Sequence, residues 1–155
     1  MPGLIPIRRW GILVAALVAL ASAVACSPVS FPTPPPAITA VSVSTGTFGT
    51  CDMFHRYAID LVARTVTTTD QCAGSTPAVA SVTQAQVDGL RVALDAAGVR
   101  SWAAKYDNPN ILDGTGYSVS ITDAAGGEKG THIYMRYPPG WTTFTAGLAA
   151  LGITI

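Results

Sequence analysis

The chain predicts an α+β fold: an antiparallel four- or five-stranded sheet with two helices packed on one face. Three observations carry this expectation. Runs of β-branched and aromatic residues alternate with small or polar ones between residues 38 and 69 and again between 117 and 137. One segment starting at Thr83 has a capping signature followed by apolar residues at spacings of three and four. The resulting order, β-β-β-α-β-β-α, joins neighbouring strands by short turns, which favours antiparallel pairing with the helices on one side.

Taken in order, Ile38 to Ser44 (Ile-Thr-Ala-Val-Ser-Val-Ser) is β-branched and partly alternating, as suits a strand with one buried face. Gly46 to Gly49 interrupts that pattern just before Cys51. Tyr57, Ile59 and Leu61 then alternate with Ala58 and Asp60, and Thr65 to Thr69 follows, so the two runs read as a hairpin. Thr83-Gln-Ala-Gln86 has the spacing of a capping box, Val87, Leu90 and Leu94 form an apolar stripe, and Gly98 provides a C-terminal stop. Trp102 and Tyr106 precede a turn cluster, Asp107-Asn-Pro-Asn110, and then Asp113-Gly114. Tyr117, Val119 and Ile121 alternate as a strand, Ala124 to Gly127 turns, and Thr131 to Tyr137 returns. Pro138-Pro-Gly140 ends that strand, and Trp141 to Leu151 is a short helix that Gly147 should weaken.

The N-terminal 36 residues have a different character. Arg8 and Arg9 precede Trp10 to Ala25, sixteen residues that are all apolar or small. A helix needs about 20 such residues to span the hydrocarbon core, so an export signal is favoured over a permanent transmembrane anchor. Ala23-Val24-Ala25 fits the small-residue rule for cleavage and secretion. Together with Cys26 it also resembles the bacterial lipobox, in which the cysteine is acylated on sulfur and becomes the new N-terminus. Ala23 stands where that family usually has leucine. The resemblance implies a lipoprotein signal peptide over 1–25, a lipid attached at Cys26, and a membrane partner engaged through acyl chains. Ser27 after the cysteine implies the outer membrane where a cell has two, and otherwise the cell membrane. Residues 26–36 carry the lipidated cysteine and a linker with five prolines between Ser27 and Pro36, an extended stalk of roughly 30 Å at about 3.1 Å per residue. The remaining 37–155 is long enough for a single domain with one core.

Cysteine counting favours the lipoprotein reading. An exported chain with three cysteines, Cys26, Cys51 and Cys72, leaves one thiol over. Acylation of Cys26 removes the odd thiol and leaves Cys51 and Cys72 to pair across a 22-residue loop. Closing such a loop contributes about 3 kcal/mol. A redox-active pair would ordinarily be a close Cys-x-x-Cys.

Motifs for chemistry are absent from the sequence. It contains neither a G-x-S-x-G elbow nor a Ser-x-x-Lys, and Glu128, its one glutamate, sits in a Gly-Gly-Glu-Lys-Gly turn. A zinc site would need His55 and His132 to converge with one of Asp52, Asp60 or Asp123, with no supporting spacing. The loop from Asp107 to Gly114 is oxygen-rich but lacks the alternate ligand spacing and closing glutamate of an EF-hand. No metal, no cofactor and no catalysis are therefore expected. Without Arg8 and Arg9, 7 basic and 9 acidic side chains give a net charge of −2, which with export argues against a nucleic-acid partner. Trp102, Tyr106, Tyr117, Tyr134, Tyr137 and Trp141 offer flat apolar surfaces, with Trp102, Tyr106 and Trp141 the leading candidates for a binding surface: exposed, such rings could engage an envelope protein or stack on polysaccharide, and otherwise they fill the core.

The Gly49-Thr-Cys51 step before Phe54, Tyr57 and Ile59, followed by a hairpin, a helix and another hairpin, resembles small uncharacterised domains of bacterial lipoproteins over Ala37 to Leu151. Asp52 replaces the proline usual after that cysteine, and Tyr57 stands further on. The resemblance implies no activity. The expectation is a membrane-anchored envelope lipoprotein whose domain is a non-enzymatic binding or structural module. The alternative is a secreted or periplasmic enzyme inhibitor, acting through the hairpin between Cys51 and Cys72 or the Asp107 to Gly116 loop.

Overall fold

The alternation of the strands sorts their side chains onto two unlike faces of one sheet. The computed structural model describes residues 33–47, 54–70 and 76–155. Its strands are β1 (Ile38–Thr47), β2 (His55–Asp60), β3 (Thr65–Asp70), β4 (Ala78–Ser81), β5 (Lys105–Asp107), β6 (Thr115–Asp123) and β7 (Glu128–Tyr134). The helices are α1 (Gln84–Ala97) and α2 (Trp141–Ala149), with a 3-10 turn at Val99–Ser101. The strands form one sheet in the order β4-β3-β2-β1-β6-β7-β5. All neighbours are antiparallel except β5, which lies parallel to β7.

The α+β class and the two helices are as expected, but the sheet is seven-stranded and mixed, not four- or five-stranded and antiparallel. The two unforeseen strands lie at its edges. β4 is four residues long and wholly exposed, so it shows no inside-outside alternation to read. β5 has only three residues, and its extended form depends on pairing with β7. Its direction matches that of β7 because both run opposite to β6, to which the chain passes directly from β5. Before it, α1 and the 3-10 turn carry the chain from β4 at one edge to β5 at the other. Six inter-strand spacings of about 4.8 Å make that crossing roughly 29 Å, for which a hairpin is too short.

Val41 and Val43 of β1 face Ile59 and Tyr57 of β2 on one side and Ile121 and Val119 of β6 on the other. With Val66 and Ile133 they form the inner face, which joins Val87, Leu90 and Leu94 of α1 and Phe144 and Leu148 of α2 in one core. Thr83 caps α1 as its spacing predicts. Its side chain accepts from the Gln86 N–H at 3.2 Å, and the Thr83 N–H donates to Gln86 Oε1 at 2.9 Å. Gly98 ends the helix in the left-handed region at φ 65°.

Two glycines read in the sequence as interruptions are contact points. A Cβ on Gly147 would lie 2.6 Å from Ala93 Cβ and 3.2 Å from Leu90 Cδ1, so α2 lies close against α1 there. Gly46 continues β1 beneath the Phe54 ring, which a Cβ would meet at 2.6 Å. β7 also starts earlier than expected, at Glu128, and ends at Tyr134, because Met135 takes a positive φ of 53°.

Two outcomes are expected from denaturant unfolding. Leu90→Ala should lose about 2–5 kcal/mol, since the side chain is fully buried. Gly147→Ala should also destabilise, by up to about 2 kcal/mol, because overpacking against Ala93, about 1–3 kcal/mol, outweighs the roughly 1 kcal/mol that alanine adds in helix propensity. A Gly147→Ala variant more stable than the parent would disprove the close helix contact.

Candidate ligand-binding face

The helices cover only the inner face, and the residues that alternate with the core define the outer one. Ser42 and Ser44 of β1 pair with Ser120 and Ser118 of β6, and next along the strands Gly46 pairs with Gly116. On the β2 side Ser42 faces Ala58 and Ser44 faces Arg56. On the β7 side Ser118 faces His132, Ser120 faces Gly130, and Gly116 faces Tyr134. The centre of this face is therefore a floor of hydroxyls and glycines with larger side chains along its sides.

Two shallow depressions share Ser44, Ser118 and His132 and so make one trough along β1 and β6. The first, of about 430 Å³, is closed at the Gly46–Gly116 end by Phe54 and Tyr134. The second, of about 390 Å³, extends past Arg56 toward Ser120 and Gly130. The walls are held in place. The Tyr134 hydroxyl donates to the Leu112 carbonyl at 2.9 Å. Arg56 Nε reaches Ser42 Oγ at 3.4 Å, a weak contact that leaves its guanidinium at the surface. His132 Nε2 lies 3.8 Å from Asp107 Oδ1, while Lys105 Nζ sits 2.6 Å from the other oxygen of that carboxylate. Asp107 thus anchors β5 to β7 behind the trough. Ser118, His132 and Asp107 follow one another across the strands, but the imidazole nitrogen nearest Asp107 is Nε2, and Asp107 is already paired with an ammonium. Asp107 Oδ1 is buried, turned toward His132 beyond hydrogen-bond reach, and without a hydrogen-bond partner.

Trp102, Tyr106 and Trp141, the leading aromatic candidates, lie elsewhere and mostly inside. Trp102 is only 2% exposed. Its Nε1 donates to the carbonyls of Ala97 at 3.1 Å and Pro139 at 2.9 Å, and its ring meets Phe144 edge-on at 5.3 Å. It therefore presents no surface; it ties the end of α1 to the start of α2. The Tyr106 hydroxyl accepts from the Ala103 N–H at 2.9 Å, and its ring packs against the core. Trp141 is half-buried and stacked on Tyr137 at 5.4 Å and 21°. Tyr137, 47% exposed, is the outermost ring of this group. Of the other aromatic residues, Tyr117 and Tyr134 line the trough, Tyr134 opposite Gly116, as does Phe54, whose ring lies over Gly46.

The other sequence candidates are separated or already used. The register puts His55 on the inner face with Tyr57 and Ile59, and His132 on the outer face, so the two cannot share a metal. Asp60 accepts the N–H groups of Val62 and Ala63, and Asp123 those of Ala125 and Gly127, each closing a turn. Asn108 Oδ1 accepts from the Asn110 N–H, an Asx turn in the oxygen-rich loop. Among the described residues no three His, Cys, Asp or Glu side chains come together as metal ligands. Cys26, Cys51 and Cys72 lie outside the described residues.

The sequence did carry a signal for the trough. Val-Ser-Val-Ser at 41–44 and Ser-Val-Ser at 118–120 put serine at each outward position of two strands. That pattern marks a smooth polar face once the strands are known to be neighbours. Comparison with protein-family models and with curated protein sequences finds no match to this chain.

Burial raises the Tyr117 hydroxyl above its usual pKa, and nearby Tyr137 adds to the shift. A folded-state pKa raised above the unfolded value favours folding below the unfolded pKa, near 10, and that contribution disappears as pH rises through the folded value. Thermal unfolding should accordingly shift to lower temperature above about pH 10, and Tyr117→Phe should flatten this alkaline limb. An unchanged limb in Tyr117→Phe would place the alkaline transition elsewhere.

Proposed function

We propose that the chain is a lipid-anchored protein of the cell envelope, and that its folded part is a binding module acting through the open face of the sheet. The observation that carries this reading is the placement of the trough relative to the stalk. Pro34 and Pro35 line a depression with Arg91, Leu94, Asp95 and Arg100. Arg100 hydrogen-bonds the Pro36 carbonyl and lies 3.9 Å from Asp123, and Lys129 Nζ donates to the Arg100 carbonyl at 2.8 Å. The stalk root is thus held at the Ile38 end of β1. The aromatic end of the trough lies beside Gly46, eight residues further along an unbroken strand, about 27 Å away at 3.4 Å per residue. A module tethered at one end and open at the other suits capture of a partner away from the membrane surface. A Cys51–Cys72 bridge would suit this picture, since His55 and Asp70, the described residues of β2 and β3 nearest the two cysteines in sequence, are directly paired.

Intact mass of the protein from the membrane fraction, with and without reduction and thiol alkylation, tests the anchor. A diacyl or triacyl addition on a chain beginning at Cys26, with two thiols appearing only after reduction, is the expected result. An unlipidated chain in the medium would overturn it.

The inhibitor reading draws on one observation. Leu112 is 87% exposed on a loop held by Asn108 N–H to the Tyr134 carbonyl at 2.9 Å and by the Tyr134 hydroxyl to Leu112. An exposed leucine on a fixed loop is the form a peptidase inhibitor presents. That reading requires stoichiometric inhibition of a leucine-preferring peptidase, lost in Leu112→Asp; intact peptidase activity beside excess protein would count against it.

A further inference from the structure

We infer that the trough takes an acidic glycan, a saccharide chain carrying carboxylates; this rests on the open face being the binding surface proposed above. Shape is the first argument. The trough is shallow, long in the strand direction and floored by Ser42, Ser44, Ser118 and Ser120, whose hydroxyls can both donate and accept. Outward-facing positions recur about every 6.8 Å along a strand, so these hydroxyls present a repeating polar row to a repeating ligand. At its far end Phe54 and Tyr134 add aromatic surface on either side of the Gly46–Gly116 pair, against which the apolar C–H faces of a sugar ring can lie.

Charge supplies the second argument. Among the described residues, the ionisable side chains lining the trough, apart from tyrosine hydroxyls, are Arg56 and His132, and no carboxylate lines it. Asp107, the nearest acid to His132, is engaged by Lys105 at 2.6 Å. An exposed guanidinium beside neutral hydroxyls, in a domain whose charge is otherwise slightly acidic, selects a carboxylate over a cation. One permanent cation is too few for a nucleic-acid backbone, whose binding grows with the number of phosphates neutralised.

The third argument separates a glycan from a protein partner. Among the described residues, the exposed large hydrophobic side chains are Val62, Val79, Val92, Leu112 and Tyr137, and none of them lines the trough. A protein-docking patch normally has such side chains at its centre.

Calorimetric titration of the full-length protein in detergent tests the inference, using oligogalacturonides and the same oligomers with their carboxylates reduced to alcohols. The acidic oligomers should bind at least about tenfold more tightly than the reduced ones, the range of a charge-assisted hydrogen bond. Arg56→Met should remove that preference, while Arg64→Met, in the β2–β3 turn, should retain it. Ser118→Trp, which fills the floor, should abolish binding of both. Equal affinity for both oligomers, lost in Ser118→Trp, would overturn the acidic-glycan inference and leave the open-face reading standing. Binding unaffected by Ser118→Trp, or no binding at all, would overturn the inference. Circular dichroism of each variant distinguishes loss of binding from loss of fold.

Discussion

The close approach of α1 and α2 is the constraint on which the rest of the structure depends. Gly147 lets α2 settle onto Ala93, and Gly140, at φ 76°, starts α2 where a Cβ would strike the backbone of Ala97 at 2.5 Å. Trp102 joins the same two places through its bifurcated donation to Ala97 and Pro139. Packed this tightly, both helices lie on one face of the sheet, and among the described residues no helix covers the other. Were they splayed, the core of Leu90, Leu94, Phe144 and Leu148 would open to water.

A bare face on a seven-stranded sheet has to be compatible with water. The sequence achieves this with serine, threonine and glycine opposite the core positions, the pattern of an antiparallel sheet with one face packed and one solvated. Solvation alone does not account for the wall residues. Phe54 and Tyr134 are aromatic on a wet surface, and Arg56 is only weakly engaged, by Ser42. The edges of the sheet are short, β4 with four residues and β5 with three, which limits the backbone available for further strands to add. On the proposed reading, the middle of the open face, rather than an edge, supplies the side chains for recognition.

Much of the fold was legible because local signals agreed with tertiary packing. Thr83 with Gln86, the stripe of Val87, Leu90 and Leu94, the Asp123–Gly127 turn and the alternation of Tyr117, Val119 and Ile121 all appear as the sequence suggests. The edge strands were not legible, since β4 has no buried side and β5 exists only through its pairing with β7. Gly46 and Gly147 were misleading for a shared reason: a glycine that breaks an element and one that admits a neighbour look alike until the neighbour, Phe54 or Ala93, is placed. The site was the least legible part. Aromatic content pointed to Trp102, which the core consumes, whereas the trough depends on the register that sets Ser44 opposite both Arg56 and Ser118. Non-local pairing of that kind has no signature in a single strand.

The central claim, that the open face is the working surface, can be tested in the cell with a photo-reactive side chain placed at one position at a time. One position is Ser118, on the floor of the trough; the other is Val92, 69% exposed on α1 on the opposite side of the sheet. The account predicts adducts to envelope material from position 118 and none from position 92. Adducts from position 92 alone, or equally from both, would contradict it.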